Sequence, residues 1–348
     1  MSQDLSPLSR KRPRTSHDDI EIEPTVALPV LPETPDEIQR HPDLWFDDGN
    51  VVLVATDNLG FRLHRSVLSR HSSIFQDMFG LPQPQLAETY EGCPVVHLQD
   101  SSEELSFLLT AFYDGRKNSY FNRELSVTFS AVTAMLRLGS KYQVDHIRDD
   151  AIYRLQLCFP SHLEHFDSSL HVKSEQPPIS DITGKDAICV VNLARKFHLD
   201  ALLPAALYTC CQLGNAYLVN GVSYPNDITE KLSPDDLLLC LDTRDTLLEE
   251  NTTNTAFICS PVASPSCIHS NVCLRGLRSL IRVAQKEEIF ARDDPLKDLS
   301  PFIRRHAPEV GVCEPCIESL VISSGKGRVR VWNTLGELFG VKGWPSLL

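Results

Sequence analysis

The sequence predicts an α+β module, a small mixed sheet flanked by helices, followed by an all-α carboxy-terminal domain. Three observations point there. Val51–Ala55 is a short apolar run with β-branched residues, as a buried strand would be. Near His64 the apolar period changes: Phe61 and Leu63 alternate with polar neighbours, whereas Val67, Leu68, Ile74, Phe75, Met78 and Phe79 fit helical spacing. From Asp186 onward the apolar spacing is helical again.

Taken in order, residues 1–40 are polar, rich in acids and interrupted by prolines, and read as a disordered tail. Pro42 favours an extended start, and Asp43-Leu44-Trp45-Phe46 is an apolar lead-in before the turn signal Asp47-Asp48-Gly49-Asn50. The strand from Val51 meets turn chemistry at Asp57-Asn58-Leu59-Gly60, where Asn and Gly tolerate positive φ, and Phe61 and Leu63 return as a hairpin partner. Two short helices follow, separated at Arg70-His71-Ser72-Ser73, then a loop over 81–93 and a third strand at Pro94–Leu98. Asp100-Ser101-Ser102-Glu103 opens a helix carrying Leu105, Leu108, Leu109 and Phe112, with Gly115 as its stop. Helices are predicted over Leu125–Leu138 and Val144–Leu157.

The composition of residues 160–184 predicts a linker between a first domain at 41–159 and a helical domain at 185–348. In that second part, helices are predicted over Asp186–Phe197 and Asp200–Leu213, with Pro204 in a first turn. Ser233-Pro234-Asp235-Asp236 starts a helix that runs to about Glu250. A polar loop follows over Asn251–Ser266, then a long helix from about Asn271 to Phe290 and further helical pieces to Trp344. Leu138-Gly-Ser-Lys-Tyr-Gln-Val-Asp-His-Ile is echoed by Leu193-Ala-Arg-Lys-Phe-His-Leu-Asp-Ala-Leu at a constant offset of 55 residues. Two such hairpins would pack side by side through Gly139 and Ala194; a recurring hairpin design explains this better than a solenoid.

Composition narrows the function. With 348 residues, 42% hydrophobic and 23% charged, the chain has the make-up of a soluble globular protein of two domains. Its net charge of −13 argues against direct nucleic-acid binding, which needs a basic face. No apolar run is long enough to cross a membrane, and no secretory signal opens the sequence. The eleven cysteines are therefore expected to be reduced, and the sequon at Asn251 silent. Arg10, Lys11, Arg12 and Arg14 form a compact basic cluster, either a nuclear-import signal or a solvated charge run, so the expected location is nucleus, cytoplasm or both.

The first domain resembles a BTB/POZ domain. The resemblance rests on Asp43, the strand Val51–Ala55, Phe61-Arg-Leu-His64-Arg-Ser-Val-Leu68-Ser-Arg70, Ser73-Ile-Phe75-Gln-Asp-Met-Phe79, Val95-Val-His-Leu98, Phe107-Leu-Leu-Thr-Ala-Phe-Tyr113 and Leu138-Gly-Ser-Lys-Tyr-Gln-Val144. It implies a three-stranded sheet flanked by helices, often with an additional amino-terminal strand, that serves as a dimerisation and adaptor module. The later part is similar to BTB proteins of basidiomycete fungi, through Leu193-Ala-Arg195, Leu203-Pro-Ala-Ala-Leu-Tyr208 and Cys313/Cys316. On this reading Leu44, Trp45 and Phe46, with the first helix, form a dimer interface with the same chain or another BTB protein. Leu86 and Glu88 stand where BTB adaptors of ubiquitin ligases dock a cullin scaffold, which makes a ligase adaptor the alternative function, alongside a nuclear transcription cofactor.

Few residues suggest site chemistry. Cys313-Glu-Pro-Cys316 has metal-ligand spacing, and Cys267, His269 and Cys273, with Cys259 further off, could supply the other ligands of a structural zinc site; packed free cysteines are the plainer alternative. No other cofactor is expected. His64 with Asp43 suggests acid–base chemistry, but the resemblance assigns both to the strand–helix junction. No hydrolase, metalloprotease or phosphate-loop motif is present, so no enzyme activity is expected.

Overall fold

A computed structural model describes residues 38–82, 88–114, 123, 125–167, 177–224 and 229–344. Residues 1–37 of the expected tail, with Arg10, Lys11, Arg12 and Arg14, the loop residue Leu86 and the helix stop at Gly115 lie outside the described residues, whereas Gln39 and Arg40, expected in that disordered tail, open the first strand.

The module opens on a five-stranded mixed sheet: β1 (Gln39–Trp45), β2 (Val51–Val54), β3 (Leu59–Leu63), β4 (Thr89–Tyr90) and β5 (Cys93–His97), in spatial order β1-β3-β2-β5-β4. β2 pairs antiparallel with β3, Val51 opposite Leu63 and Leu53 opposite Phe61, and parallel with β5. β1 lies parallel to β3 at the sheet edge. Val51, Leu53, Phe61 and Leu63 face the main core, while Val52 and Val54 face a smaller cluster with Ile38, Trp45, Tyr90, Cys93 and Val95. β2 is thus buried on both faces, which explains its uninterrupted apolar run. The stretch 81–93, expected as loop alone, contributes β4, a short antiparallel partner for β5. Asn58 takes the positive φ of the β2–β3 turn, at 64°. Gly60 serves differently: it sits in β3, where a Cβ would collide with the Ile38 side chain.

Helices α1 (Arg65–His71) and α2 (Ser73–Gly80) break at Ser72 alone. Its buried hydroxyl caps α2 by accepting from Phe75 N at 3.1 Å and donates to Tyr142 O at 2.6 Å. α3 (Ser102–Asp114), α4 (Phe129–Lys141) and α5 (Asp145–Cys158) complete the helical layer. α4 starts later than its apolar spacing suggests, because Val127 pairs with Ile179 in a parallel β-bridge. Arg154, 1% exposed, clamps that crossing: Nη1 donates to Leu125 O and Pro178 O, while Nε donates to Asp150 at 2.9 Å.

The expected linker is packed where it is described. α6 (Leu163–Phe166) follows α5, and Phe159, Phe166 and Ile179 belong to the main core. α7 (Ala187–Phe197) and α8 (Leu203–Cys211) then repeat the α4–α5 hairpin. Gln143 and His198, 55 residues apart, both take positive φ, at 53° and 56°. The next N–H groups close equivalent turns, Val144 to Gly139 O and Leu199 to Ala194 O. Gly139 is needed within its own hairpin rather than between the two: a Cβ there would lie 2.9 Å from Arg148 N.

The remainder is α9 (Asn215–Asn220), a ribbon of β6 (Val222–Ser223) and β7 (Thr229–Glu230), and helices α10 (Pro234–Cys259), α11 (Ser270–Lys286), α12 (Ser300–Glu309) and α13 (Glu314–Leu338). The ribbon interrupts an otherwise helical region and has no clear sequence signal; Glu230 on it accepts from Arg137 and Asn192. α10 runs nine residues past the predicted stop at Glu250. Leu247, Asn251, Thr255 and Ile258 keep one face buried, and Asn251 donates to Ile289 O at 2.9 Å. The sequon asparagine is thus 4% exposed inside a helix. A second apolar core joins the end of α10 to α11, α12 and the start of α13.

Candidate functional site

Two regions could carry function: the β1 edge of the sheet and a group of cysteines in the second core. At the edge, the alternation of β1 sends its lead-in residues to different places. Leu44 is buried in the main core at 5% exposure. Trp45 turns to the other face, edge-on to Tyr90 at 5.9 Å, with the Arg40 guanidinium 5.0 Å from its ring centroid. Phe46 stacks on Tyr113 at 4.6 Å. The three do not form one outward apolar patch; half-buried Trp45 and Phe46 are what the lead-in offers to a partner. The edge is blunted by Pro42 and by the His41 ring, whose Nδ1 accepts from the N–H groups of Asp43 and Leu44, both at 3.1 Å.

His64 and Asp43 do not form an acid–base pair. The carboxylate beside His64 belongs to Asp48, at 3.1 Å, and Tyr113 OH lies 3.1 Å from His64 Nδ1 while accepting from the His64 backbone N–H. Asp43 acts instead on His41. His64 stands at the start of α1, where its carbonyl accepts from Val67 and Leu68, so its place is the strand–helix junction. Tyr113 is held above the usual phenol value, chiefly by burial. Phe61, Leu68 and Phe75 are fully buried, with Phe75 stacked on Tyr142 at 4.6 Å and Phe79 half-buried beside it. Glu88 is exposed and sits 2.9 Å from His97 Nε2.

The cysteine prediction meets a compact cluster. The sulfur atoms of Cys267, Cys273, Cys313 and Cys316 all lie within 4.8 Å of one another. Cys313 is the N-cap of α13 and Cys316 follows within its first turn, so the Cys-x-x-Cys spacing turns both thiols to one helix end. Cys273 comes from the first turns of α11 and Cys267 from the preceding loop. Exposed His269 and Cys259 stay out of the cluster. Cys313 is held below the ordinary thiol value, first by the backbone N–H of Cys316, whereas burial pushes Cys316 up to about 12. Burial alone likewise pushes Cys158 up to about 12, as for a thiol that only packs. None of the eleven cysteines is joined in a disulfide.

Sequence reasoning did not anticipate two further surfaces. A shallow groove of about 210 Å³ lies between the end of α5 and α6, lined by Tyr153, Leu157, Phe159, Pro160, His162 and His165. Along α10, Leu238, Leu241 and Leu248 are exposed at 58%, 40% and 40%. Their spacing could have signalled a second apolar face on a helix that already buries Cys240 and Leu247.

Among the described residues, no helix is long and apolar enough to cross a membrane. No curated protein matches the chain. Residues 45–156 match the family described as the BTB/POZ domain, and the mixed sheet with its flanking helices has that domain's form, so this chain carries a BTB/POZ domain, a protein–protein interaction module, followed by a helical carboxy-terminal region.

Proposed function

We propose that the protein works by association: its BTB/POZ domain pairs with a second copy or with another BTB protein, and its helical region recruits a partner. The observation that carries this reading is the position of β1 at the sheet edge of a matched interaction domain, with Trp45 and Phe46 half-buried where the strand ends. Aromatic groups that keep part of their surface exposed are effective anchors at an interface. The exposed stripe Leu238, Leu241 and Leu248 on α10 supports recruitment, because Asp235, Asp242, Asp245 and Glu249 are exposed beside it. An apolar stripe with acidic margins suits a basic amphipathic helix.

Light scattering on the full chain at micromolar concentration tests the pairing. A dimer mass is expected, shifting toward monomer in Trp45→Asp; a monomer mass for the unaltered chain would overturn it. The ligase-adaptor and transcription-cofactor readings rest on Leu86 with Glu88 and on Arg10–Arg14, and no further observation favours them. The likeness of the helical region to basidiomycete proteins rests on its quoted motifs alone.

A further inference from the structure

Cys267, Cys273, Cys313 and Cys316 reach one point from three separate stretches: the loop after α10, the start of α11 and the start of α13. The Cys313–Cys267 sulfur distance is 3.7 Å. A disulfide would bring the two atoms to about 2.05 Å. Four sulfurs at about 2.3 Å from a tetrahedral zinc stand about 3.8 Å apart, close to the observed separation. Two packed thiols can also touch at that distance. Four thiols from three segments converging within 4.8 Å are the number and spread of ligands that a tetrahedral ion needs. We propose that these four cysteines bind one zinc ion in a closed, structural site.

The surroundings suit the charge of such a centre. Four thiolates around a divalent cation leave two negative charges. The 25-residue α13 begins at the cluster, with Cys313 as its N-cap and Cys316 in its first turn, so the positive end of its dipole lies beside the sulfurs. Backbone N–H groups also point at sulfur: Ser264 N lies 3.3 Å from Cys316 Sγ, and Cys313 N lies 3.4 Å from Cys273 Sγ. Such outer contacts orient thiolate ligands and stabilise their charge. With four protein ligands there is no open position for substrate, so the ion is structural rather than catalytic. Cys273 and Cys316 are buried, whereas Cys267 and Cys313 are half-buried at the rim, which leaves chelators a route in.

The ion would tie down a segment that has few other ties. Residues 261–268 are held to the body by the Ser264–Cys316 bond, the Cys267–Cys313 contact and the packing of Ala263 and Cys267 on the second core. The same segment presents Val262 and Ile268 to solvent at 78% and 85% exposure. Zinc would hold these apolar side chains in place and close α11 onto α13.

The test uses the full chain, independently of whether it dimerises. Elemental analysis after purification with zinc chloride supplied should give one zinc per chain. Cobalt(II) added to metal-free protein should give the intense visible absorption of a tetrahedral thiolate site. Cys313→Ser and Cys267→Ser should lower zinc affinity at least tenfold, while Cys259→Ser, outside the cluster, keeps the full content. If the serine variants fail to fold, stoichiometry and the cobalt spectrum of the unaltered chain still decide. Zinc well below one per chain, no tetrahedral cobalt spectrum, or a mass showing Cys267 and Cys313 joined as a disulfide would overturn the proposal.

Discussion

Asp100 shows how a polar residue can hold a sheet against its helices. It is 7% exposed, accepts from Tyr142 OH at 2.5 Å and from Lys141 Nζ at 2.6 Å, and its carbonyl accepts from Thr56 N. Burial, then Asp100 itself, pushes the Tyr142 phenol well up, so it remains a donor. Asp100→Ala should cost about 1–3 kcal/mol in urea unfolding, because the buried Tyr142 hydroxyl loses its acceptor, while exposed Lys141 can turn to water. His41 and His71 set a pH dependence. Burial lowers both pKa values, with Asp43 opposing the effect at His41 and His146 and Arg70 adding to it at His71. The folded state therefore binds fewer protons than the unfolded chain near pH 6, and the stability present above about pH 6.5 is lost as pH falls through the lowered values. The urea midpoint should drop between about pH 7 and 5, and the drop should shrink in His71→Phe, which keeps the stacking on Phe112. An equal drop in both proteins would rule out His71 as a source.

At the scale of elements, glycine tells apart helices that touch from helices that do not. In α4, a Cβ at Gly139 would press on the backbone of α5, so Gly139→Ala should destabilise by about 1–3 kcal/mol despite its better helix propensity. In α13, Gly325 has open space around it, and Gly325→Ala should stabilise by up to about 1 kcal/mol. Thermal melts of the two variants should move in opposite directions. The exposed stripe of α10 makes a different prediction. Leu238→Asp with Leu241→Asp should leave folding stability within about 0.5 kcal/mol, as exposed substitutions do, yet abolish capture of a basic helical partner. A large loss of stability would mean that the stripe is covered within the chain.

The described residues pack into one large core, a second core among the carboxy-terminal helices and a small cluster on the other face of the sheet. The main cluster runs from Leu44 in β1 to Trp344 at the end of the described chain, through Phe159, Phe166 and Ile179. Trp332 Nε1 donates to Ser161 O, and Arg328 bonds Asp167, so the last helix rests on the segment that follows the BTB/POZ domain. A fragment ending at residue 159 would lose these contacts and should melt more than about 5 °C below the full chain. The second core lies apart from all three tryptophans. On the proposed zinc site, a chelator should increase protease cleavage within 260–269 while leaving tryptophan emission unchanged. Emission that moved together with cleavage would show that the two cores open as one.

By itself the sequence determined the strands of the hairpin, the helix pair after His64, the recurring hairpin at Leu138 and Leu193, and the four cysteines. Each depends on local chemistry, a period, a residue that tolerates positive φ or a ligand spacing, and local chemistry is legible one segment at a time. Only the tertiary structure decided where Leu44, Trp45 and Phe46 point, because neighbouring strand positions face opposite sides of a sheet whose partners are distant in sequence. It likewise decided that Asp48, and not Asp43, sits beside His64, and that α10 continues through Asn251 and Thr255. Those polar residues read as a loop until Ile289 O and the face they bury are known. The cysteine group needed both: the spacing named its members, and the meeting of α11, α13 and the loop between α10 and α11 brought their sulfurs together.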